Sequence, residues 1–273
     1  MLEFLKNLDR RYIFILIAFS VVIPLMVPLG LPLTPGAEAT SMYKLIDGLK
    51  EGSKLVISFD YDPASKAELH PMAEAILHHA FRKKLKIFAI SLYPAGPSMA
   101  RNAFEKQSKG TGAIYGKDYI NLGFYYGPNT GFNQVAVFSE NIKNAFPVDE
   151  RKVSVNDYEI MDGFNSLKDA NALISISAGD PGVPAYVSVA NAIHKIKVGA
   201  GVTAVSAPKF FSYMDSGQIF GLLGGLKGAA EYEVLEGIKG KGLSGMDAQS
   251  MAHLVIILLI ILSNIIYIIE KKD

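Results

Sequence analysis

Two long apolar stretches lie near the ends of the chain, at residues 12–31 and 251–269, and neither contains an Asp, Glu, Lys or Arg. Each has about the 20 residues that an α-helix needs to cross the hydrocarbon core of a bilayer. The pattern therefore predicts two transmembrane helices, which hold the domain between them, residues 38–236, to the lipid bilayer by both ends.

The basic residues around the first stretch predict the orientation of the chain. Lys6, Arg10 and Arg11 precede this stretch, whereas residues 32–42 contain no Lys or Arg. Because basic residues close to a span are retained in the cytoplasm, we expect an N-terminus on the cytoplasmic side. With two spans, the domain then lies outside the plasma (inner) membrane.

The same layout makes residues 1–11 and 270–273 the two cytoplasmic termini. One alternative stays open, because Ala37-Glu38-Ala39 has the small-x-small form of a signal-peptide processing site. Cleavage there would remove the first span and leave the domain on the same side of the membrane.

Between the spans, short β-branched runs alternate with stretches that carry apolar residues at helical spacing, which is typical of βαβ units. The predicted strands are residues 54–59, 86–92, 119–125, 172–177 and 202–206. The predicted helices are residues 41–49, 67–84, 98–108, 132–145 and 185–196. We therefore expect an α/β domain with a mainly parallel sheet of about five strands, Rossmann-like or flavodoxin-like.

All five predicted strands end in loops of small residues that contain proline. In a parallel sheet these loops share the carboxyl edge, where open α/β folds bind their ligands. The polar residues of the loops are the ligand-binding candidates: Asp60, Asp62, Tyr93, Ser177, Asp180 and Ser206. The alternative is that proline and glycine only form tight turns there, with Ser and Asp as helix caps.

Three aspartates in these loops, Asp60, Asp62 and Asp180, have the chemistry to hold Mg²⁺ or Ca²⁺ through oxygen ligands, or to form an acid and base pair. A strand followed by Asp-x-Asp resembles the start of haloacid dehalogenase-type phosphotransferases. The resemblance ends there, because residues 63–65 replace the threonine-containing continuation of that family. Capping of the following turns is the interpretation we favour.

His70, Glu74 and His78 recur every four residues on a predicted helix. The order His-Glu-x-x-His of the zincins is absent, so we expect a solvated stripe instead of a metal site. No nucleophile stands out, because the Gly-x-Ser-x-Gly elbow of serine hydrolases is absent as well.

Four glycines, Gly221, Gly224, Gly225 and Gly228, recur at intervals of three or four residues in the last part of the domain. On a helix they would form a flat strip on which another backbone could pack closely. The strip predicts tight packing, either within the domain or against another copy of the chain or another membrane protein.

Composition narrows the function classes. Half of the residues are hydrophobic and 19% are charged, which is enough for a packed core. Lys and Arg number 27 against 26 for Asp and Glu, so the chain has no field that favours nucleic acid as a partner. There is no cysteine, which excludes disulfides and thiolate chemistry.

Several segments together resemble a family of two-span prokaryotic membrane proteins that have an extracytoplasmic α/β domain. The segments are residues 8–11, 58–65, 177–182 and 221–231. The resemblance implies no activity. Because the sequence shows no complete catalytic set and two spans return the ends of the domain to the membrane, we expect a non-enzymatic module that binds a partner protein or a small ligand as a subunit of a membrane complex. A metal-dependent hydrolase and a solute-sensing subunit of a transport system are the alternatives.

Overall fold

The structure is a computed structural model that describes residues 9–127 and 132–271. The chain divides into two compact units. Leu33–Gly242 forms an α/β unit, and the second unit comprises Met1–Pro32 and Leu243–Asp273. Lys6 and Lys272 of the predicted cytoplasmic termini lie outside the described residues.

The elements follow one another as the alternation predicts. The strands are β1 (Lys54–Asp60), β2 (Lys86–Ser91), β3 (Tyr119–Phe124), β4 (Ala172–Ser177), β5 (Lys197–Val202) and β6 (Leu222–Gly224). The helices are α1 (Arg10–Met26), α2 (Ala37–Asp47), α3 (Lys66–Arg82), α4 (Gly96–Gln107), α5 (Phe132–Glu140), α6 (Ile142–Ala145), α7 (Gly182–Tyr186), α8 (Ala207–Asp215), α9 (Gly225–Glu236) and α10 (Lys241–Glu270). A π-helical turn, Val187–Asn191, extends α7, and three short 3₁₀ turns lie between α6 and β4.

The six strands form one parallel sheet in the order β3-β2-β1-β4-β5-β6. From β1 the chain winds outward to β3, and from β4 it winds outward in the opposite direction to β6. This is the Rossmann-like order of a doubly wound sheet, with its switch point between β1 and β4. The α/β class and the parallel sheet are thus confirmed, with six strands where about five are predicted.

Residue alternation divides the core between the two faces of the sheet. Along β1, Leu55, Ile57 and Phe59 join the cluster beneath α2, α3, α4 and α9. Val56 joins the opposite cluster, which includes Tyr186 of α7. Because side chains alternate along a strand, Ser58 and Asp60 lie on the same face of the sheet as Val56. The Asp60 carboxyl group therefore faces the apolar layer around α7.

The fifth predicted strand, residues 202–206, is wrong, because β5 is Lys197–Val202. Glycine is depleted in strands, so a segment that contains Gly199 and Gly201 does not have the sequence pattern of a strand. A Cβ at Gly199 would lie 2.6 Å from Met42 Sδ and 2.7 Å from Ile174 Cδ1. The glycine therefore lets α2 approach the sheet closely.

The four glycines of the predicted strip do not lie on one helix. Gly221 precedes β6, Gly224 ends it, and Gly225 and Gly228 lie in the first turn of α9. Gly225 has a φ of +58°, a backbone conformation that side chains rarely adopt. The strip is therefore an incorrect prediction, since the chain forms an edge strand in the middle of it.

Each of these glycines is enclosed by its own domain. A Cβ at Gly221 would lie 2.4 Å from Met42 Cα, and one at Gly225 would lie 2.6 Å from Ala204 Cβ. Their lack of side chains is thus explained by packing within the α/β unit. The prediction of a homo-oligomer or a hetero-complex stays a prediction, without these glycines as its surface.

Lys241–Ile269, which belongs to the terminal unit from Leu243 onward, is the one helix among the described residues that is long and apolar enough to cross a membrane, with a mean hydropathy of 2.7. α1 is shorter, at 17 residues, because Val27 is extended before Pro28 and Gly30 has a φ of +68°. Asp247 accepts hydrogen bonds from Gly30 N (2.9 Å) and Leu31 N (3.2 Å), which ties the two segments of this unit together.

Candidate functional site

The carboxyl edge of the sheet carries a small crevice beside the switch point. It has a volume of about 210 Å³. Its walls come from the ends of β4 and β5, the loop after β4 and the first turn of α8: Ser177, Gly179, Asp180, Val202, Ser206, Lys209 and Phe210. Three of the six ligand-binding candidates, Ser177, Asp180 and Ser206, therefore line one crevice.

The remaining candidates lie beside the crevice in different roles. Asp60 is in register with Ser177 on the neighbouring strand. Tyr93 donates a hydrogen bond from its hydroxyl to Asp180 O (3.0 Å) and so joins the loop after β2 to the loop after β4. Asp62 is exposed and accepts hydrogen bonds from Ala64 N (3.0 Å) and Ser65 N (3.3 Å). Asp62 therefore caps the turn that follows it.

Asp60 is completely buried. Its Oδ1 accepts a hydrogen bond of 2.6 Å from Leu92 N and lies 3.4 Å from Ser91 Oγ. Its Oδ2 has no hydrogen-bond partner among the described residues. Burial raises the pKa of Asp60 to about 6, although the Leu92 amide favours the ionised form. The carboxyl group therefore titrates near neutral pH.

Tyr186 is the polar neighbour of Asp60 within the apolar layer. Its side chain is fully buried, and its hydroxyl too has no hydrogen-bond partner among the described residues. Burial raises the pKa of Tyr186 well above its usual range, and the nearby Asp60 carboxylate adds to the shift. The hydroxyls of Tyr186 and Ser58 lie close enough to Asp60 to lower its pKa, which opposes the larger effect of burial. Neither Asp60 Oδ2 nor the Tyr186 hydroxyl has a hydrogen bond of normal geometry among the described residues.

Two serines shape the loops on either side of Asp60. Ser91 Oγ accepts from Tyr93 N (2.9 Å) and donates to Phe59 O (2.7 Å). Ser177 Oγ donates to Gly179 O (2.8 Å). In each loop a glycine follows five residues after the serine, and a Cβ there would lie within 2 Å of the serine oxygen. The repeated Ser-x₄-Gly spacing is the signal that identifies these paired turns.

The charges of the crevice are balanced and face solvent. Lys209 Nζ lies 3.7 Å from Asp180 Oδ1, and both side chains are more than half exposed. Ser206 Oγ accepts from Thr203 Oγ1 at 3.0 Å, and Phe210 is buried beneath them. Such a crevice presents an ammonium group, a carboxylate and hydroxyls above an apolar floor, which suits a small polar ligand.

No group of three or more His, Cys, Asp or Glu side chains in the described parts of the chain could hold a metal ion. Asp60 faces Leu92 and Tyr186, Asp62 caps a turn, and Asp180 pairs with Lys209. The three carboxylates thus have separate partners, and we assign no Mg²⁺ or Ca²⁺ to them.

The histidine stripe of α3 is not solvated as predicted. His70 and Glu74 are each 5% exposed. His70 Nδ1 lies 2.9 Å from the Tyr61 hydroxyl, and Glu74 pairs with Lys106. His78 pairs with Glu236 of α9. The stripe joins helices of one sheet face, because α4 and α9 both pack on the side of α3 that the helical pattern alone assigns to solvent.

The sequence indicated neither Tyr186 nor Lys209 as part of this region. Tyr186 reads as an ordinary apolar helix residue, and Lys209 follows Pro208 in a predicted loop. Comparison of the chain with protein-family models, with curated proteins and with solved structures gives no match. The interpretation of the site therefore rests on its own geometry.

Proposed function

We propose that this chain is a non-enzymatic α/β module, anchored in the plasma (inner) membrane, that binds a small polar ligand in the crevice at the carboxyl edge of its sheet. The observation that carries the proposal is Asp60, an acid buried one strand away from the crevice with one oxygen unsatisfied. Burial of a carboxylate without a full set of partners is unfavourable, and groups with shifted pKa values are concentrated at functional sites.

A binding role fits the chemistry of the crevice better than catalysis. Ser177 donates to a backbone carbonyl and Ser206 accepts from a threonine, and neither contacts a histidine in the described residues. Activation of a serine nucleophile needs an adjacent base. A module that binds through the crevice and is anchored by its ends could act as a subunit of a larger membrane complex.

The proposed topology has two spans, cytoplasmic termini and an extracytoplasmic domain. It is supported by the apolar helix Lys241–Ile269, by the apolar composition of α1, and by Arg10 and Arg11 at the start of α1. The α/β unit begins and ends close in sequence to these two helices.

Single cysteines test this topology without background, because the natural chain has none. We expect an impermeant maleimide to label cysteines at Glu38 and Lys239 in intact cells, and to label cysteines at Lys6 and Lys272 only after permeabilisation. Labelling of positions 6 and 272 in intact cells, with positions 38 and 239 silent, would reverse the orientation. Labelling of position 239 alone among the four would indicate a single span, because cleavage after Ala39 removes positions 6 and 38 together with the first stretch.

A further inference from the structure

A second open groove, of about 600 Å³, lies at the opposite, amino-terminal edge of the sheet. It is formed by the end of α2 and the loop after it, the start of β4 and the turn before β5. Five of the residues that line it are lysines: Lys44, Lys50, Lys168, Lys195 and Lys197. In a chain with a net charge of +1, this is a local concentration of positive charge.

Most of this charge is uncompensated. Among the described residues, Lys44, Lys50, Lys195 and Lys197 form no ion pair with a carboxylate, while Lys168 Nζ lies 3.2 Å from Glu140 Oε2. Asp169, which follows Lys168, accepts hydrogen bonds from Asn165 N and Ser166 N. Burial lowers the pKa of His194, another lining residue. The positive electrostatic potential of the groove therefore comes from the lysines.

The turn before β2 is an internal comparison for the turn before β5. Both turns have the form Lys-apolar-Lys, and the first lysine of each, Lys84 or Lys195, has a positive φ (52° and 59°). Before β2 the charges are compensated, since Lys84 pairs with Glu51 and Lys86 pairs with Asp118. The same local structure before β5 lacks these partners, so the turn does not by itself explain the unpaired lysines.

We infer that this groove is a binding site for a multiply charged phosphate group. Lysines on separate loops can surround such a group and donate several charge-assisted hydrogen bonds to it. The groove has the volume of a ligand pocket, and it is open enough for a bulky headgroup or a phosphorylated small molecule. Both sources offer the same phosphate chemistry, and the experiment below separates them.

The test uses the full chain in phosphatidylcholine nanodiscs and tripolyphosphate as the probe, with binding followed by calorimetry at low salt. The groove variant is Lys195→Gln with Lys197→Gln, and the matched control is Lys84→Gln with Lys86→Gln. Both variants remove two charges from turns of the same backbone form, but only Lys195 and Lys197 line the groove. We expect the groove variant to weaken binding about tenfold and the control variant less than twofold. Added salt should weaken the wild-type binding.

Nanodiscs that contain phosphatidic acid, whose headgroup is a phosphomonoester that can ionise twice, distinguish the two sources. If a lipid headgroup occupies the groove, tripolyphosphate binds the wild-type chain more weakly in these discs, and the control variant shows the same loss. If the ligand is a free phosphorylated compound, the affinity is equal in both kinds of disc. The inference is overturned if tripolyphosphate does not bind at low salt, or if both variants lose affinity equally. Melting temperatures of both variants well above the assay temperature, as for the wild-type chain, show that neither result reflects unfolding.

Discussion

Replacement of Asp60 with asparagine is expected to raise the melting temperature of the full chain at pH 8. The amide oxygen of the new side chain can still accept the hydrogen bond from Leu92 N, and it carries no charge into the buried site. The pKa of Asp60 is raised from 3.8 to about 6. At about 1.4 kcal/mol per unit, ionisation costs the folded state on the order of 3 kcal/mol. For a domain of this size we expect a gain of roughly 5 to 10 °C.

The sign of the effect fixes its pH range. Because the folded-state pKa of Asp60 is higher than the unfolded value, the folded state favours the protonated acid. The wild-type chain is therefore most stable, relative to the variant, below pH 4, and it loses this stability as the pH rises through about 6. The difference in melting temperature between the variant and the wild-type chain should therefore grow as the pH rises from 4 to 8 and stay constant above this interval.

Asp62→Asn is the matched control, since Asp62 is an exposed turn cap and asparagine caps equally well. We expect the melting temperature of this variant to follow that of the wild-type chain at every pH. A loss of stability at pH 8 in Asp60→Asn would contradict the buried-acid account. It would mean that the hydroxyls of Ser58, Ser91 and Tyr186 stabilise the ionised carboxylate more than burial destabilises it.

Gly96→Ala is expected to destabilise the chain strongly. A Cβ at this position would lie 1.9 Å from Ser91 Oγ and 2.1 Å from Phe59 O, so both a side chain and the backbone of β1 would have to move. Ser91 also fixes the loop that presents Leu92 N to Asp60. Such overpacking costs about 3 kcal/mol or more.

Gly179→Ala provides the comparison in a neighbouring loop. A Cβ there would meet only the Tyr93 hydroxyl, at 3.3 Å. We expect a change of less than about 1 kcal/mol for this variant. Thermal or denaturant unfolding of the two variants measures the difference. Equal stabilities would show that the turn after β2 is looser than its close contacts imply.

Much of the fold could be predicted because the central strands are strongly patterned. β1 and β4 are almost continuous apolar runs, as buried parallel strands are, and β4 has the predicted bounds, Ala172–Ser177. β5 and β6 could not be predicted, because they contain glycines, which are depleted in strands. These glycines are explained by the close approach of α2 and α8 to the two strands. That information lies in tertiary packing, which no local pattern contains.

The candidate site could be predicted as a region but not in its details. Parallel strands bring Asp60 and Ser177 to one edge, but their pairing in register depends on the strand order. The sequence does not show that the Asp60 side chain is buried beside Tyr186 and outside the lining of the crevice, because its position depends on the pleat of β1 and the packing of α7. Asp180 and Ser206 do line the crevice, because they lie on loops that follow neighbouring strands.

The most direct test of the proposed function compares the accessibility of two adjacent positions. Val205 is 90% exposed, whereas Ser206 lines the crevice. In intact cells, we expect an impermeant maleimide to label Val205→Cys rapidly and Ser206→Cys slowly, because the crevice holds its native ligand. After purification and extensive dialysis, the labelling rate of Ser206→Cys should rise several-fold relative to that of Val205→Cys. A silent Val205→Cys in intact cells, or an unchanged ratio of the two rates, would contradict an extracytoplasmic domain that binds a small ligand at this edge.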